Sequence, residues 1–131
     1  MRQIPTGAKG SFSLLVQPQH LASQFKDATL PEVLATPVMI MAMENAALNA
    51  IKPYLDPGES AVGTEVNVRH LAPTVAGGIV TAEAEVTKIE GRRIGFRVNA
   101  TEGDKEIGAG THSRAVIDIA KFARRLGSPS P

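Results

Sequence analysis

TPVMIMAMENAALNAIKP, residues 36–53, is the stretch on which the reading of the whole chain turns. Thr36 followed by Pro37 is a strong helix opening, because a threonine side chain can cap the free N–H groups of a first turn and proline suits the first helical position. The helix is expected to run to about Lys52, where Pro53 stops it. Between those ends Val38, Met39, Ile40, Met41, Ala42, Met43, Ala46, Ala47, Leu48, Ala50 and Ile51 leave only a narrow polar stripe at Asn45, Asn49 and Lys52. A helix apolar on most sides is a buried one.

Downstream of the turn-rich YLDPGES (54–60) the hydrophobic period changes to two and stays there. Val62, Thr64, Val66 and Val68 are expected on one face, with His70 beside them by parity. A second strand covers 79–89, with Val80, Ala82, Ala84 and Val86 pointing one way; Glu90-Gly91-Arg92 reads as a hairpin turn. Ile94, Phe96, Val98 and Ala100 make the inner face of a third strand, and Glu102-Gly103-Asp104 is the next turn. Ile107, Ala109, Thr111, Ser113, Ala115, Ile117 and Ile119 alternate through a fourth. Upstream, GSFSLLVQ (10–17) is a leading or edge strand closed by Pro18, and 19–32 is a loop with one helical turn, of a length that functional lids use.

One long apolar helix and a meander of antiparallel strands make an α+β chain in which the sheet wraps the helix, the hotdog layout. It is expected as one domain over 1–126, with a short helix over 118–126 and a disordered GSPSP tail at 127–131. Such a sheet leaves an edge strand and one side of the helix uncovered, so a homodimer is the expected way to finish the core.

Composition narrows the function. Fourteen basic residues against 13 acidic ones give a net charge of +1, and aromatics are 4% with no tryptophan, which argues against a nucleic-acid partner. A few local arginines could still hold a phosphate-bearing small ligand. The chain has no cysteine, so disulfides, thiolate nucleophiles and cysteine-ligated zinc or iron–sulfur sites are excluded. Residues 1–10 carry no secretory signal pattern, and the apolar run 34–43 stops at Glu44, short of the roughly 20 residues that span a bilayer. A cytoplasmic protein without membrane association is expected.

Three polar residues stand in apolar surroundings. Glu44 has Ile40, Met41, Ala47 and Leu48 as its helical neighbours, so its carboxylate is either partly desolvated and functional or reaches solvent at a subunit seam. His70 ends a strand of valines, where it is either a hydrogen-bonded core or interface histidine or a proton-transfer group. Thr36 is expected as the helix cap, and a hydroxyl there also lies beside free N–H groups and the positive end of the helix dipole, a setting that suits an oxyanion. Glu44 follows Thr36 by about two turns with an offset of roughly 80°, so the pair can face one cavity. His20 and His112 show no metal-ligand spacing, and parity sends His112 to solvent or a dimer contact. No metal site is expected. No glycine pattern cradles a nucleotide, whereas Gly63, inside a strand, marks a bulge or a close backbone approach.

Read together, PEVLATPVMIMAMENAALNAIKPYLDPGESAVGT, VRHLAPT and EGRRIGFRVNATEGDKEIGAGTHSRAVI, in that order, resemble the fluoroacetyl-CoA thioesterase group of hotdog thioesterases over about residues 30–122. The resemblance implies acyl-CoA hydrolysis with Thr36, Glu44 and His70 as the catalytic constellation. It also implies that Gly63 lines the site and Arg114 partners Glu44, the alternative for Arg114 being a surface salt bridge. No cofactor is implied beyond the coenzyme A carried by the substrate. Where that group has phenylalanines gating the acyl pocket, this sequence has Asp27 and Leu30, which points to other short acyl groups as substrates. The competing readings are a non-catalytic acyl-CoA or acyl-carrier binding protein and a hotdog dehydratase acting on 3-hydroxyacyl thioesters.

Overall fold

In the computed structural model, which describes residues 1–127, helix α2 (Thr36–Ile51) lies across one face of a five-stranded antiparallel sheet. The strands are β1 (Lys9–Leu15), β2 (Glu59–His70), β3 (Ile79–Glu90), β4 (Arg93–Glu102) and β5 (Lys105–Asp118), in the spatial order β1-β3-β4-β5-β2. A single turn of helix, α1 (Ala22–Phe25), sits in the loop before α2, and α3 (Ile119–Gly127) follows β5. Residues 128–131, and with them most of the expected tail, lie outside the described residues.

The hotdog arrangement follows from α2. Val38, Met39, Ala42, Met43, Ala46, Ala47, Ala50 and Ile51 are buried, and the sheet supplies their partners: Val80, Ala82, Ala84 and Val86 from β3, and Ile94, Phe96, Val98 and Ala100 from β4. Both strands place these residues on the inner face as their alternation predicts. The alanines on the helix let the sheet come close. At Gly10 the approach is closest, since a Cβ there would run into the backbone of Ala46 and Ala50. The hairpins close on Gly91 (φ 63°) and Gly103 (φ 58°), where the left-handed backbone favours glycine.

Parity fails in the other two long strands, for one physical reason. A β-bulge sets two residues of one strand against one of its neighbour and flips every side chain beyond it. In β2 the ladder to β5 skips Thr64, pairing Gly63 with Arg114 and then Glu65 with Ser113. Gly63 therefore shares the inner face with Val66, Val68 and His70, and Val62 points the other way. In β5 the ladder to β4 skips Ile107, so Ile107 is buried and the inner set continues as His112, Arg114 and Val116. The expected inner run of Ala109, Thr111, Ser113, Ala115 and Ile117 is thus corrected to the opposite face, and His112, 2% exposed, is corrected from solvent to core.

β1 and β2 are the sheet edges. Gly63, Thr64, Glu65, Val66 and Asn67 are all exposed, and beside them the Ile40, Met41, Glu44 and Leu48 side of α2 is only partly covered. Replacing Gly10 with alanine should cost about 1–3 kcal/mol of stability, because no rotamer change relieves a clash with helix backbone. Urea unfolding of Gly10→Ala measures it, and an unchanged midpoint would show that β1 does not seat on α2 this closely.

Candidate active site

The start of α2 is held by its backbone. Ala35, not Thr36, is the N-cap residue (φ −70°, ψ 138°), with no side-chain capping bond, and Thr36 is the first helical residue. This corrects the expected cap. Leu34 N donates to Thr74 O (2.8 Å) and Ala35 N to His20 O (2.9 Å), and both residues are 1% exposed, so the chain enters the helix along a fixed path. Freed from capping, the Thr36 hydroxyl lies 2.8 Å from His70 Nδ1. The end of β2 is fixed in turn by Leu71 N donating to Ile107 O (2.7 Å).

This pair has what an acyl-transfer site needs. Burial holds the His70 imidazole below its ordinary 6.5, against a smaller opposing effect of the Ala72 backbone, so near pH 7 the ring is neutral and can take a proton. Its Nε2 is buried and has no hydrogen-bond partner. Pro37 brings no N–H, and Val38 N and Met39 N turn back to Ala35 O (3.0 and 3.2 Å). Among the described residues the Thr36 N–H is the donor left at the helix start.

Glu44 belongs to a second group. Its Oε2 is 3.9 Å from Arg114 Nη1 and would lie 2.8 Å from a Cβ built on Gly63, so any side chain at position 63 would displace the carboxylate. Gly63 is both the bulge and the close approach that its place in a strand suggests. Arg114 is 7% exposed; its Nη2 donates to Ala61 O (2.6 Å) and its Nη1 to His112 Nε2 (3.1 Å). Burial lowers the guanidinium pKa and Glu44 opposes that shift. Arg114 is therefore a buried partner of Glu44 and not a surface ion pair.

Within one chain, then, Thr36 meets His70 while Glu44 meets Gly63 and Arg114, and no hydrogen bond joins the two groups among the described residues. They are separated by about 12 Å of helix rise and on the order of 20 Å of strand. Leu30 packs partly buried against the core, in a turn where Leu30 N donates to Asp27 O (3.0 Å). The Asp27 side chain accepts from Thr29 N and Oγ1 (2.8 and 2.7 Å), so it shapes the loop before the helix. His112 is the residue that sequence reading misplaced, because the bulge at Ile107 sets which face of β5 is inward and the sequence there carries no signal for it. Among the described residues no cluster of three or more histidines and carboxylates is arranged to hold a metal, and no helix is long and apolar enough to cross a membrane.

Residues 16–120 match the family of fluoroacetyl-CoA-specific thioesterases. The chain belongs to that family. It is 47% identical to the fluoroacetyl-CoA thioesterase of Streptantibioticus cattleyicolor over 79% of its own length and 75% of that protein. Among solved structures it matches the fluoroacetyl-CoA thioesterase FlK with a TM-score of 0.91 at 39% identity, covering 98% of this chain and 99% of that one. A thioesterase superfamily member from Thermus thermophilus matches with a TM-score of 0.88 at 33% identity, covering 98% and 96%. This fluoroacetyl-CoA thioesterase relative is a thioester hydrolase with the hotdog fold predicted from α2 and the meander.

The two buried rings also set a pH dependence of stability. Burial keeps His70 and His112 below the ordinary 6.5 in the folded chain, so below that value the unfolded chain binds protons that the folded one refuses. Stability contributed by the neutral rings is complete above pH 6.5 and is lost as the pH falls beneath it. Urea midpoints at pH 7 and pH 5.5 test this: the value should drop at pH 5.5, and a flat profile would mean the rings titrate normally.

Proposed function

We propose that this thioesterase acts on short-chain acyl-CoAs as a cytoplasmic homodimer, with each site drawing Thr36 and His70 from one subunit and Glu44, Gly63 and Arg114 from the other. The observation that carries the reading is the Thr36–His70 hydrogen bond of 2.8 Å together with the unpartnered Nε2 on the far side of the ring. A neutral histidine that accepts from a hydroxyl at Nδ1 carries its proton on Nε2 and needs an acceptor there. Among the described residues no carboxylate of the same chain supplies it. Antiparallel pairing of β2 with its copy about a two-fold axis near Val66 and Asn67 sets Gly63 of the partner subunit opposite His70, and Glu44 of the partner subunit travels with it. The exposed β2 edge and the half-covered side of α2 are the surfaces this pairing uses.

The chemistry follows from the geometry. The Thr36 hydroxyl adds to the thioester carbonyl carbon while its proton passes to His70 Nδ1. The oxyanion takes a hydrogen bond from the Thr36 N–H at the helix start. Collapse expels the coenzyme A thiolate, which is protonated by His70. Water then cleaves the threonine ester with the same ring as base, releasing the acid. Glu44 holds the imidazole in the required tautomer, the part a carboxylate plays wherever a base needs orienting. No cofactor enters beyond the coenzyme A of the substrate. Leu30, in the loop before α2, borders the acyl end, and with Asp27 beside it the pocket mouth is less apolar than one gated by aromatic rings, which suits short acyl groups in general.

Free-thiol release from a panel of short acyl-CoAs is the direct test. Thr36→Ala and His70→Ala should each lower kcat by about a hundredfold or more, the range for losing a nucleophile or its base. Tight binding of an intact thioester without turnover would instead make the protein a binding module. Sharing of the site is tested by mixing Thr36→Ala with Glu44→Gln subunits after each is found inactive. Random pairing of two such subunits leaves one intact site in half of the dimers, so about a quarter of wild-type activity should return. No recovery would place all three residues in one subunit's site.

A further inference from the structure

His112 is the buried titratable group to which the hydrolytic steps give no task. We propose that His112 is a positioning residue for Glu44: by accepting from Arg114 it holds the guanidinium back from the carboxylate and keeps the β2 bulge in the shape that seats Glu44 against Gly63. The role rests on the thioesterase reading, and its geometry stands apart from it.

The ring has one state that satisfies its surroundings. Nδ1 is 2.7 Å from Glu65 O, which only accepts, and Nε2 is 3.1 Å from Arg114 Nη1, which only donates. The proton is therefore on Nδ1 and the lone pair on Nε2. A second proton would set an N–H against the guanidinium, and burial with Arg114 nearby keeps the ring neutral. Phe96 of β4 stacks on the imidazole with centroids 5.9 Å apart and planes 25° apart, which fixes the ring plane. The groups facing it are Arg114 from its own strand, Glu44 from α2, the Glu65 carbonyl from β2 and the apolar Phe96 from β4.

Both contacts bear on Glu44. The Nδ1–H ties down Glu65, the residue that follows the bulged Thr64, so it stabilises the turn of β2 that brings Gly63 inward. The Nε2 lone pair engages the same Arg114 nitrogen that stands 3.9 Å from Glu44 Oε2, a separation too long for a hydrogen bond. Without that acceptor, Nη1 is left buried and unpaired, and the nearest group able to satisfy it is the Glu44 carboxylate. Closing the 3.9 Å gap would lock the carboxylate to Arg114 and withdraw it from the imidazole it serves. A ring atom of His112 also comes within 3.3 Å of the Cβ position at Gly63, against 2.8 Å for the carboxylate oxygen, so ring and carboxylate flank the same space.

Two amide replacements separate the contacts. His112→Asn can place its N–H₂ near the Nδ1 position and keep the tie to Glu65 but leaves Arg114 without an acceptor, whereas His112→Gln can place its carbonyl near the Nε2 position. His112→Asn should lower kcat by about 10- to 100-fold, the usual range for partners that orient a functional group, with KM within about twofold, and His112→Gln should recover most of that loss. Equal losses in both variants that track their melting temperatures, or full activity in His112→Asn, would overturn the proposal. Nitrogen-15 spectra of the wild-type imidazole give a readout independent of turnover: they should report the Nδ1–H tautomer near pH 7, and an Nε2–H ring would also overturn it. A wild-type protein that cleaves no acyl-CoA but shows the Nδ1–H tautomer would sink the proposed substrate and leave the placement of His112 standing.

Discussion

The structure depends on hiding one helix that has almost no polar side. α2 cannot meet water along most of its length, so the sheet must curl to reach it from several directions, and the small residues of the interface set how close it comes. Gly10, Ala46 and Ala50 meet where a methyl group more would not fit. Interiors packed to crystal density leave no slack for such additions. Polar atoms that enter this surface do so at costs of several kcal/mol unless paired, and they enter at two places: the first turn of α2 and Glu44 in its middle. Both places hold residues of the proposed site.

How much of this was legible in the sequence depends on whether the local rule was interrupted. β4 keeps its alternation throughout and β3 keeps it from Val80 to Val86, short of its own bulge at Thr87, so their buried residues could be named from parity alone. β2 and β5 each contain a bulge, and one extra residue was enough to misplace Val62, Ala109 to Ile117 and His112. Periodicity carries no signature for the position of a bulge beyond a glycine in a strand. Gly63 offered that hint, whereas nothing in the sequence around Ile107 did. The helix start fails differently: Ser and Thr are favoured caps, yet Leu34 and Ala35 are so tightly held by backbone bonds to Thr74 and His20 that Ala35 takes the cap position and the threonine hydroxyl is released to His70. The separated motifs named the candidate residues; their partition into two groups within one chain is a property of distance, which no motif encodes.

Electrostatics explains why the second group contains a histidine at all. Arg114 is a buried cation whose only carboxylate partner among the described residues sits 3.9 Å away and is itself 38% exposed on its side chain. A guanidinium in that position must be satisfied by dipoles, and the Ala61 carbonyl and the His112 lone pair do so without adding charge. Replacing the neutral ring with a second carboxylate would neutralise Arg114 outright and leave Glu44 without its cation. The arrangement keeps one positive charge near one negative charge without closing them into a hydrogen-bonded pair, which leaves the Glu44 carboxylate free to turn toward another donor.

Among the described residues Ser23 Oγ, Thr74 Oγ1, His70 Nε2 and Arg114 Nε are the buried side-chain atoms without a hydrogen-bond partner. His70 Nε2 and Arg114 Nε are buried without partners, each at a cost of about 1–3 kcal/mol for a lost hydrogen bond. Folded chains keep few such atoms, and two of them here belong to the two halves of the site. The exposed β2 edge and the half-covered Glu44 side of α2 lie beside each other, so in the proposed homodimer the pairing that covers the apolar edge also brings a carboxylate toward the imidazole. In the proposed homodimer, completing the fold and completing the active site are the same event, and that reading ties activity to assembly through the strand that ends in His70.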